Sequence, residues 1–441
     1  MVGVISKFFS SIVNKYLPDP LVFAILLTIL IFVLGITVTP HSAMDMVNMW
    51  GDGFWNLLAF AMQMSLVLVT GHALASSPPI KKAMARLASV AKTPGQGVML
   101  VGFCSAFACA INWGFGLVVG AMFAREVARR IPKSDYRLLI ATAYMGFLTW
   151  HGGLSASIPL VAATKGNPME KLCGLVPISS TIFTAYNIFI TVALIIFVPV
   201  LARMMMPKEQ DIVSVDSTLL QDDAAATVKI IGSDATCAEK LEESRILSWV
   251  VGAFGIIYLV AYFAQKGFDL NVNNVNLIFL TAGILLHKTP MGYVRAITAA
   301  TRGTAGILIQ FPFYAGIQIM MEHSGLGGII TNWFVNVATA QTFPVLVFFS
   351  SAIVNFAVPS GGGHWVVQGP FVIPAAQALG ADVGKAAMAI AYGEEWMNMA
   401  QPFWALPALA IAGLGVRDIM GYCVTALLFS ALIFVVGLSF L

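Results

Sequence analysis

The sequence predicts an all-α polytopic membrane protein of about nine transmembrane helices plus two re-entrant helical hairpins, arranged as an inverted repeat. Three observations predict it. The 441 residues are 59% hydrophobic and 10% charged, with a mean hydropathy of +0.85, where a soluble domain carries roughly 25% charged residues. Two apolar stretches, 97–124 and 344–379, are each split by a glycine-rich centre into limbs of about 15 residues, each reaching more than halfway across a bilayer but short of a full crossing. The two halves of the chain also align with each other at a near-constant offset of 247 to 248 positions.

Taken in order, Lys7 and Lys15 lead into an apolar run, Leu21 to Val38, long enough to span and without a convincing cleavage site. It is expected to be the first span and not a secretory signal. The second span is placed at 55–75. The basic, amphipathic "PPIKKAMARLASVAK" (Pro78 to Lys92) is expected to lie on the cytoplasmic surface as a hinge between moving and fixed parts. The first hairpin (97–124) turns at "AINWGFG" (Ala110 to Gly116), and spans at 137–163 and 177–204 follow. Pro207 to Ser244, with nine acids and three lysines, is the one strongly hydrophilic segment and is expected to be a flexible cytoplasmic linker. It divides the chain into an N-terminal membrane repeat (1–206), the linker (207–246) and a C-terminal half (247–441). That half holds an extra span at 247–265, spans at 275–287 and 296–321, the second hairpin (344–379) around "AVPSGGG" (Ala357 to Gly363), and spans at 384–412 and 418–440.

Charge placement fixes the expected sidedness. With the N-terminus inside, 20 Lys and Arg fall in cytoplasmic segments and 4 on the opposite side, as the positive-inside rule requires. Nine crossings then put the C-terminus in the periplasm. A hairpin returns to the side it started from, so this count is blind to hairpin depth.

Within the repeat, "AYMGFLTWHGGLSASIPLVA" (Ala143 to Ala162) lies without gaps on "AYGEEWMNMAQPFWALPALA" (Ala391 to Ala410). Under nearly the same shift Gly35-Ile36 falls on Gly283-Ile284, and Gly114 and Gly116 fall on Gly361 and Gly363. The extra span turns the second copy over relative to the first. Inverted repeats with broken elements near the midplane point to a secondary transporter. "TWHGGLSAS" (Thr149 to Ser157) and "GEEWMNMAQP" (Gly393 to Pro402) mark a second kind of break, helices that unwind beside a hairpin tip, which is tolerated at depth only where backbone lines a cavity. Glycines there free amide N–H groups and aim half-helix dipoles at a bound ion or carboxylate.

The candidate residues follow from those breaks. Glu394 and Glu395 are acids inside a span and so functional by default. With Asn355 they are assigned to a coupling ion, proton or sodium. As helix neighbours the two acids are expected to face one cavity only if the helix unwinds. His151 and His364, each beside glycines, suit carboxylate recognition or proton transfer; the plain alternative is a satisfied histidine between helices. Asn112, Ser155, Ser157, Ser360, Asn398 and Gln401 offer neutral polar groups, although such residues also hold membrane helices together. Gly114, Gly152, Gly153, Gly361, Gly362 and Gly363 supply backbone, while Trp113 and Trp365 are candidates to wall the pocket. No Lys or Arg falls inside a proposed span core, so an anion would meet amides, hydroxyls and dipoles. Five cysteines without CxxC spacing indicate neither a disulfide framework nor a metal site, and no cofactor is expected.

From "KYLPDPLVFAILLT" through "INWGFGLVVGAMFAREVARR", "TWHGGLSASIPL" and "VPSGGGHWVVQGP" to "YGEEWMNMAQPFWALPAL", the chain resembles the bacterial short-chain fatty acid transporter family from end to end. The resemblance implies movement of short monocarboxylates such as butyrate or acetoacetate across the inner membrane. It further implies membership of the ion transporter superfamily, elevator-type alternating access and a homodimer. Dicarboxylate carriers of that superfamily bear Ser-Asn-Thr at both hairpin tips. Here the tips are Asn112-Trp113-Gly114 and Pro359-Ser360-Gly361, which fits a substrate with one carboxylate. The alternative on the same fold is a sodium/proton antiporter or a carrier of another organic anion. An enzyme is not expected: GxSxG is not met and HExxH is absent, so no nucleophile or metal site is indicated.

Overall fold

A computed structural model describes residues 20–163, 167, 169–215, 236–267, 272–301, 304–355, 361–401 and 403–441. Every regular element among them is helical. The first half contains α1 (Pro20–Val38), α2 (Ala43–Gly53), α3 (Leu58–Ala75), α4 (Pro78–Ala88), α5 (Pro94–Ile111), α6 (Trp113–Arg130), α7 (Tyr136–Met145), α8 (Ser157–Ala162) and α9 (Ala185–Met204). The second contains α10 (Arg245–Lys266), α11 (Val272–His287), α12 (Pro290–Thr301), α13 (Ala305–His323), α14 (Leu326–Val335), α15 (Phe343–Asn355), α16 (Gly361–Leu379), α17 (Val383–Met397), α18 (Ala405–Ala412) and α19 (Val416–Phe440).

Four stretches among the described residues are long and apolar enough to cross a membrane as single helices: Pro94–Ile111, Ala185–Met204, Cys237–Lys266 and Val416–Phe440. The first falls on the first limb of the expected hairpin. At 18 residues it is longer than the expected limb and reaches about 27 Å. The expected spans 137–163 and 384–412 are each broken in two, as α7/α8 and α17/α18. Of the expected span 296–321, residues 302 and 303 lie outside the described residues. Of the linker, residues 216–235 lie outside the described residues. Its start is pinned where Tyr136 N–H donates to Val213 O at 2.9 Å and Val213 N–H donates to Asp135 at 3.0 Å. Its end is held by Glu243, which accepts from Thr289 at 2.7 Å and from Arg295 at 3.0 Å.

Packing is reciprocal between the halves. Helix α1 lies along α13 and α11 lies along α3; α2 packs on α13 and α12 on α3. In the other group, α5 and α6 pack on α7 as α15 and α16 pack on α17. There α6 touches α18 and α16 touches α8, so each glycine-rich helix reaches the broken helix of the other half. The two groups meet directly through α3 against α6, and α14 bridges them, packing on α15 and α16 and on α13. Helix α10 packs on α11 through Gly252 and Gly255, and most of its remaining surface is apolar and exposed.

Candidate functional site

The first glycine-rich turn is a single residue. Asn112 ends α5 and starts α6 in extended conformation (φ −153°, ψ 119°), and its side-chain oxygen accepts from Phe115 N–H at 3.0 Å. That is ordinary N-cap chemistry, so Asn112's oxygen is engaged in holding the turn. Ser155 is engaged likewise: its hydroxyl oxygen accepts from Trp113 N–H at 3.0 Å. Gly153 lies so close to Ala110 that a Cβ would sit 2.8 Å from Ala110 Cα and carbonyl carbon, and Leu154 N–H donates to Ala110 O at 2.8 Å. The first turn and the first helix break are thus one packed unit.

Gly361, at the start of the described part of α16, reaches the same place. A Cβ on Gly361 would be 3.0 Å from both His151 Cε1 and Ser157 Cβ, so the start of α16 abuts the His151 ring. The next position, Gly362, has nothing within 4 Å of its Cβ site among the described residues. Ser360 and the rest of 356–360 lie outside the described residues. On the other limb Asn355 donates from Nδ2 to Glu394 O and, at 3.0 Å, to Asn398 Oδ1. The second break falls at 398–404, later than the expected Gly393 to Pro402, because α17 stays helical through Met397. Gln401 spends its side chain there, donating to Asn398 Oδ1 at 2.6 Å and accepting from Phe403 N–H at 2.8 Å.

Glu394 and Glu395 both converge on residue 151. Glu395 Oε2 accepts from His151 N–H at 2.6 Å, and Glu394 Oε2 lies 2.9 Å from His151 Nε2. The expectation that the acids share a cavity only if the helix unwinds is therefore corrected. Adjacent helical side chains diverge by about 100°, but residue 151 sits at a break and offers its backbone to one acid and its ring to the other. All three residues are at most 1% exposed, and neither acid meets Lys or Arg among the described residues. Glu394 Oε1, Glu395 Oε1, Asn355 Oδ1, Asn398 Nδ2 and His151 Nδ1 are buried without hydrogen-bond partners among the described residues. Polar atoms left bare at such depth are costly unless a ligand, cation or proton completes them.

An aromatic wall adjoins this cluster. Trp113 meets Trp404 at 5.3 Å and Trp150 at 5.6 Å between ring centroids, Phe147 stacks on Trp150 at 5.1 Å, and Trp150 lies 3.8 Å from the His151 ring. Trp150 and Trp404 thus join Trp113, whereas Trp365, also buried, makes none of these contacts. His364 stands in a buried chain beside Glu394, its Nε2 2.7 Å from Gln368 Oε1 and 2.9 Å from Ser351 Oγ.

Besides Trp150 and Trp404, sequence reasoning missed three residues. Tyr144 donates to Asn398 O at 2.8 Å. Tyr392 donates to Asn187 Oδ1 at 2.6 Å, and Asn187 donates to Gly152 O at 2.9 Å. The signal was available, since Tyr144 and Tyr392 are the matched tyrosines of the internal alignment, and each steadies the break of the other half.

Sequence comparison bears on what such a site serves. The family described as short chain fatty acid transporter matches residues 1–441. The chain belongs to that family. It is a family of transporters, not of enzymes. A relative from Escherichia coli (strain K12), named "Putative short-chain fatty acid transporter", is 67% identical over 439 residues, covering 100% of both chains. A relative of the same name from Haemophilus influenzae is 62% identical over 448 residues, again covering 100% of both. Among solved structures, the Alcanivorax borkumensis YdaH transporter is similar with a TM-score of 0.45 and 17% identity, over 96% of this chain and 97% of that one.

Proposed function

We propose that the protein carries short monocarboxylates, butyrate and acetoacetate among them, across the bacterial cytoplasmic membrane. Transport is coupled to a cation, and alternating access is of the elevator type. The observation that carries this reading is the convergence of the first glycine-rich turn, the glycine-rich α16 and two helix breaks on His151, Glu394 and Glu395. Backbone amides at the start of α16 and the neutral groups around the breaks recognise one carboxylate, and Trp113, Trp150 and Trp404 cover its short tail. Glu394, Glu395 and Asn355 serve the coupling cation. The reciprocal packing favours an inverted repeat, with α1–α3 and α11–α13 as the fixed body and α5–α9 with α15–α19 as the moving one. A homodimer, a cytoplasmic N-terminus and a periplasmic C-terminus belong to the same proposal.

The test is uptake of labelled butyrate and acetoacetate by proteoliposomes under an imposed pH gradient, with and without sodium, after subtracting passive entry into empty liposomes. Saturable uptake that is lost in Glu395→Gln supports the carrier. No uptake above empty liposomes, with a pH gradient that collapses when sodium is added, replaces it with the antiporter.

A further inference from the structure

Helices α5 and α9 pack antiparallel and close together. A Cβ on Gly95 would sit 2.8 Å from Arg203 Cζ, and one on Gly102 would sit 3.0 Å from Pro199 Cα, so the start of α5 lies against the end of α9. An apolar ridge stands free on each helix at four-residue steps: Met99, Phe103 and Phe107 on α5, and Ile196, Val200 and Met204 on α9, all 40–60% exposed. Phe103 and Phe107 stack with ring centroids 6.1 Å apart. Phe103 follows the contact residue Gly102 by one position, and Val200 follows the contact residue Pro199 by one. One step turns a side chain by about 100° in the same hand on every α-helix. In an antiparallel pair, that turn carries both side chains to the same side. The ridges are therefore the two banks of one apolar groove.

One end of the groove is cationic. Arg203 lies over Gly95 there, and Lys92 stands three residues before Gly95. Both are exposed, and neither makes an ion pair with Asp or Glu among the described residues. No acid stands nearby in sequence: Asp and Glu are absent between Asp52 and Glu126, and between Glu170 and Glu209. Two unneutralised cations at the head of a long apolar groove match an amphiphile with an anionic head.

We propose that the groove binds one anionic phospholipid, its phosphate on Lys92 and Arg203 and its acyl chains along the two ridges. Guanidinium takes two phosphate oxygens side by side, and the chains cover apolar surface that a detergent or a bare lipid edge covers less closely. A second copy of the chain fits the groove less well. Related by a two-fold axis along the membrane normal, it would bring like charges to the same depth. Helix α5 ends at the Asn112 turn, so the lipid braces the helix that carries this turn. Such a site does not depend on which cargo the protein carries.

The experiment is native mass spectrometry of the purified full-length protein in detergent, titrated with dioleoyl phosphatidylglycerol or dioleoyl phosphatidylcholine. The wild type is expected to hold one phosphatidylglycerol per chain in preference to phosphatidylcholine. Each basic group at an anionic lipid surface is worth about fivefold in affinity, so Lys92→Gln with Arg203→Gln should weaken phosphatidylglycerol about 25-fold and leave phosphatidylcholine unchanged. Lys266→Gln, at the end of α10, should change neither. Phosphatidylglycerol should also raise the Tm of the wild type more than that of the double variant, and glycerol phosphate, the head without chains, should not displace it. Equal affinity for the two lipids overturns the site, as does parental phosphatidylglycerol binding by the double variant. Displacement by glycerol phosphate overturns it in favour of a site for free phosphate. A disulfide between protomers in Phe103→Cys that phosphatidylglycerol does not suppress overturns it in favour of a second copy of the chain.

Discussion

Replacing Gly393 with alanine tests whether the contact between α15 and α17 sets the geometry of the site. A Cβ at 393 would lie 2.6 Å from Ser351 Cβ and 3.0 Å from Ala352 N, and nearer still to Phe348 O. Carbon atoms pack at about 3.5–4.0 Å, so the two helices must part by about 1 Å, since backbone cannot swing aside. Overpacking of this kind costs about 1–3 kcal/mol, offset by about 1 kcal/mol of helix propensity gained over glycine. The variant should therefore fold. Its chemistry should not survive, because Glu394 is the next residue and a displacement of α17 by about 1 Å misaligns its 2.9 Å contact with His151. Misplacement on that scale lowers rates by about 100-fold. The assay is butyrate counterflow in proteoliposomes alongside thermal unfolding of the purified protein. Gly306→Ala serves as control, because its nearest atoms would be 3.6 and 3.9 Å away. Parental counterflow in Gly393→Ala would refute the reasoning, and so would a loss of transport that merely tracks a loss of folded protein.

Three further outcomes are expected. Tyr392→Phe leaves the buried Asn187 acceptor with only a long 3.4 Å bond from Thr191 and should cost about 1 kcal/mol; counterflow should fall well below that of Tyr258→Phe, whose ring is exposed. Trp404→Leu opens the aromatic wall and should shift preference toward longer acids by about 0.8 kcal/mol per added methylene accommodated, about fourfold in affinity, measured by competition of hexanoate against labelled butyrate. Glu243→Ala leaves Arg295 and Thr289 without their shared acceptor, whose side chain is 5% exposed. It should lower stability by about 1–3 kcal/mol while the KM for butyrate stays unchanged, as thermal unfolding and initial-rate uptake would show.

Both helix breaks were legible in the sequence because Gly, Ser and Pro weaken a helix, and a weakened helix inside an apolar run is tolerated only where its backbone lines a cavity. His151, Glu394 and Glu395 were legible because a titratable group at membrane depth is costly to keep. The hydrogen-bond roles of Asn112 and Ser155 were harder to foresee, since a cap and a ligand contact use the same oxygen and only the geometry separates them. Asn187 escaped notice because one amide in an otherwise apolar helix looks like ordinary glue, and its partner Tyr392 lies 205 positions away. The shared target of the two acids was hidden by reasoning from one helix alone, without the break that faces it. Trp150 and Trp404 flank breaks that were recognised, but ring orientation across four elements has no periodicity to betray it.

The pairing of α1 with α13 bears on how the chain is assembled. Helix α1 ends at Val38, and the helix it chiefly packs against is complete only at His323, 285 residues later. At about 5–20 residues per second, α1 waits in the bilayer for about 15–60 s before its partner exists. Its surface suits the wait: Leu26, Ile29, Leu30 and Val33 remain exposed even in the finished fold, so lipid can solvate the helix with no polar group left to satisfy. Truncation during synthesis would leave this helix inserted yet unassembled, which makes the order of emergence from the ribosome a constraint on the yield of folded protein.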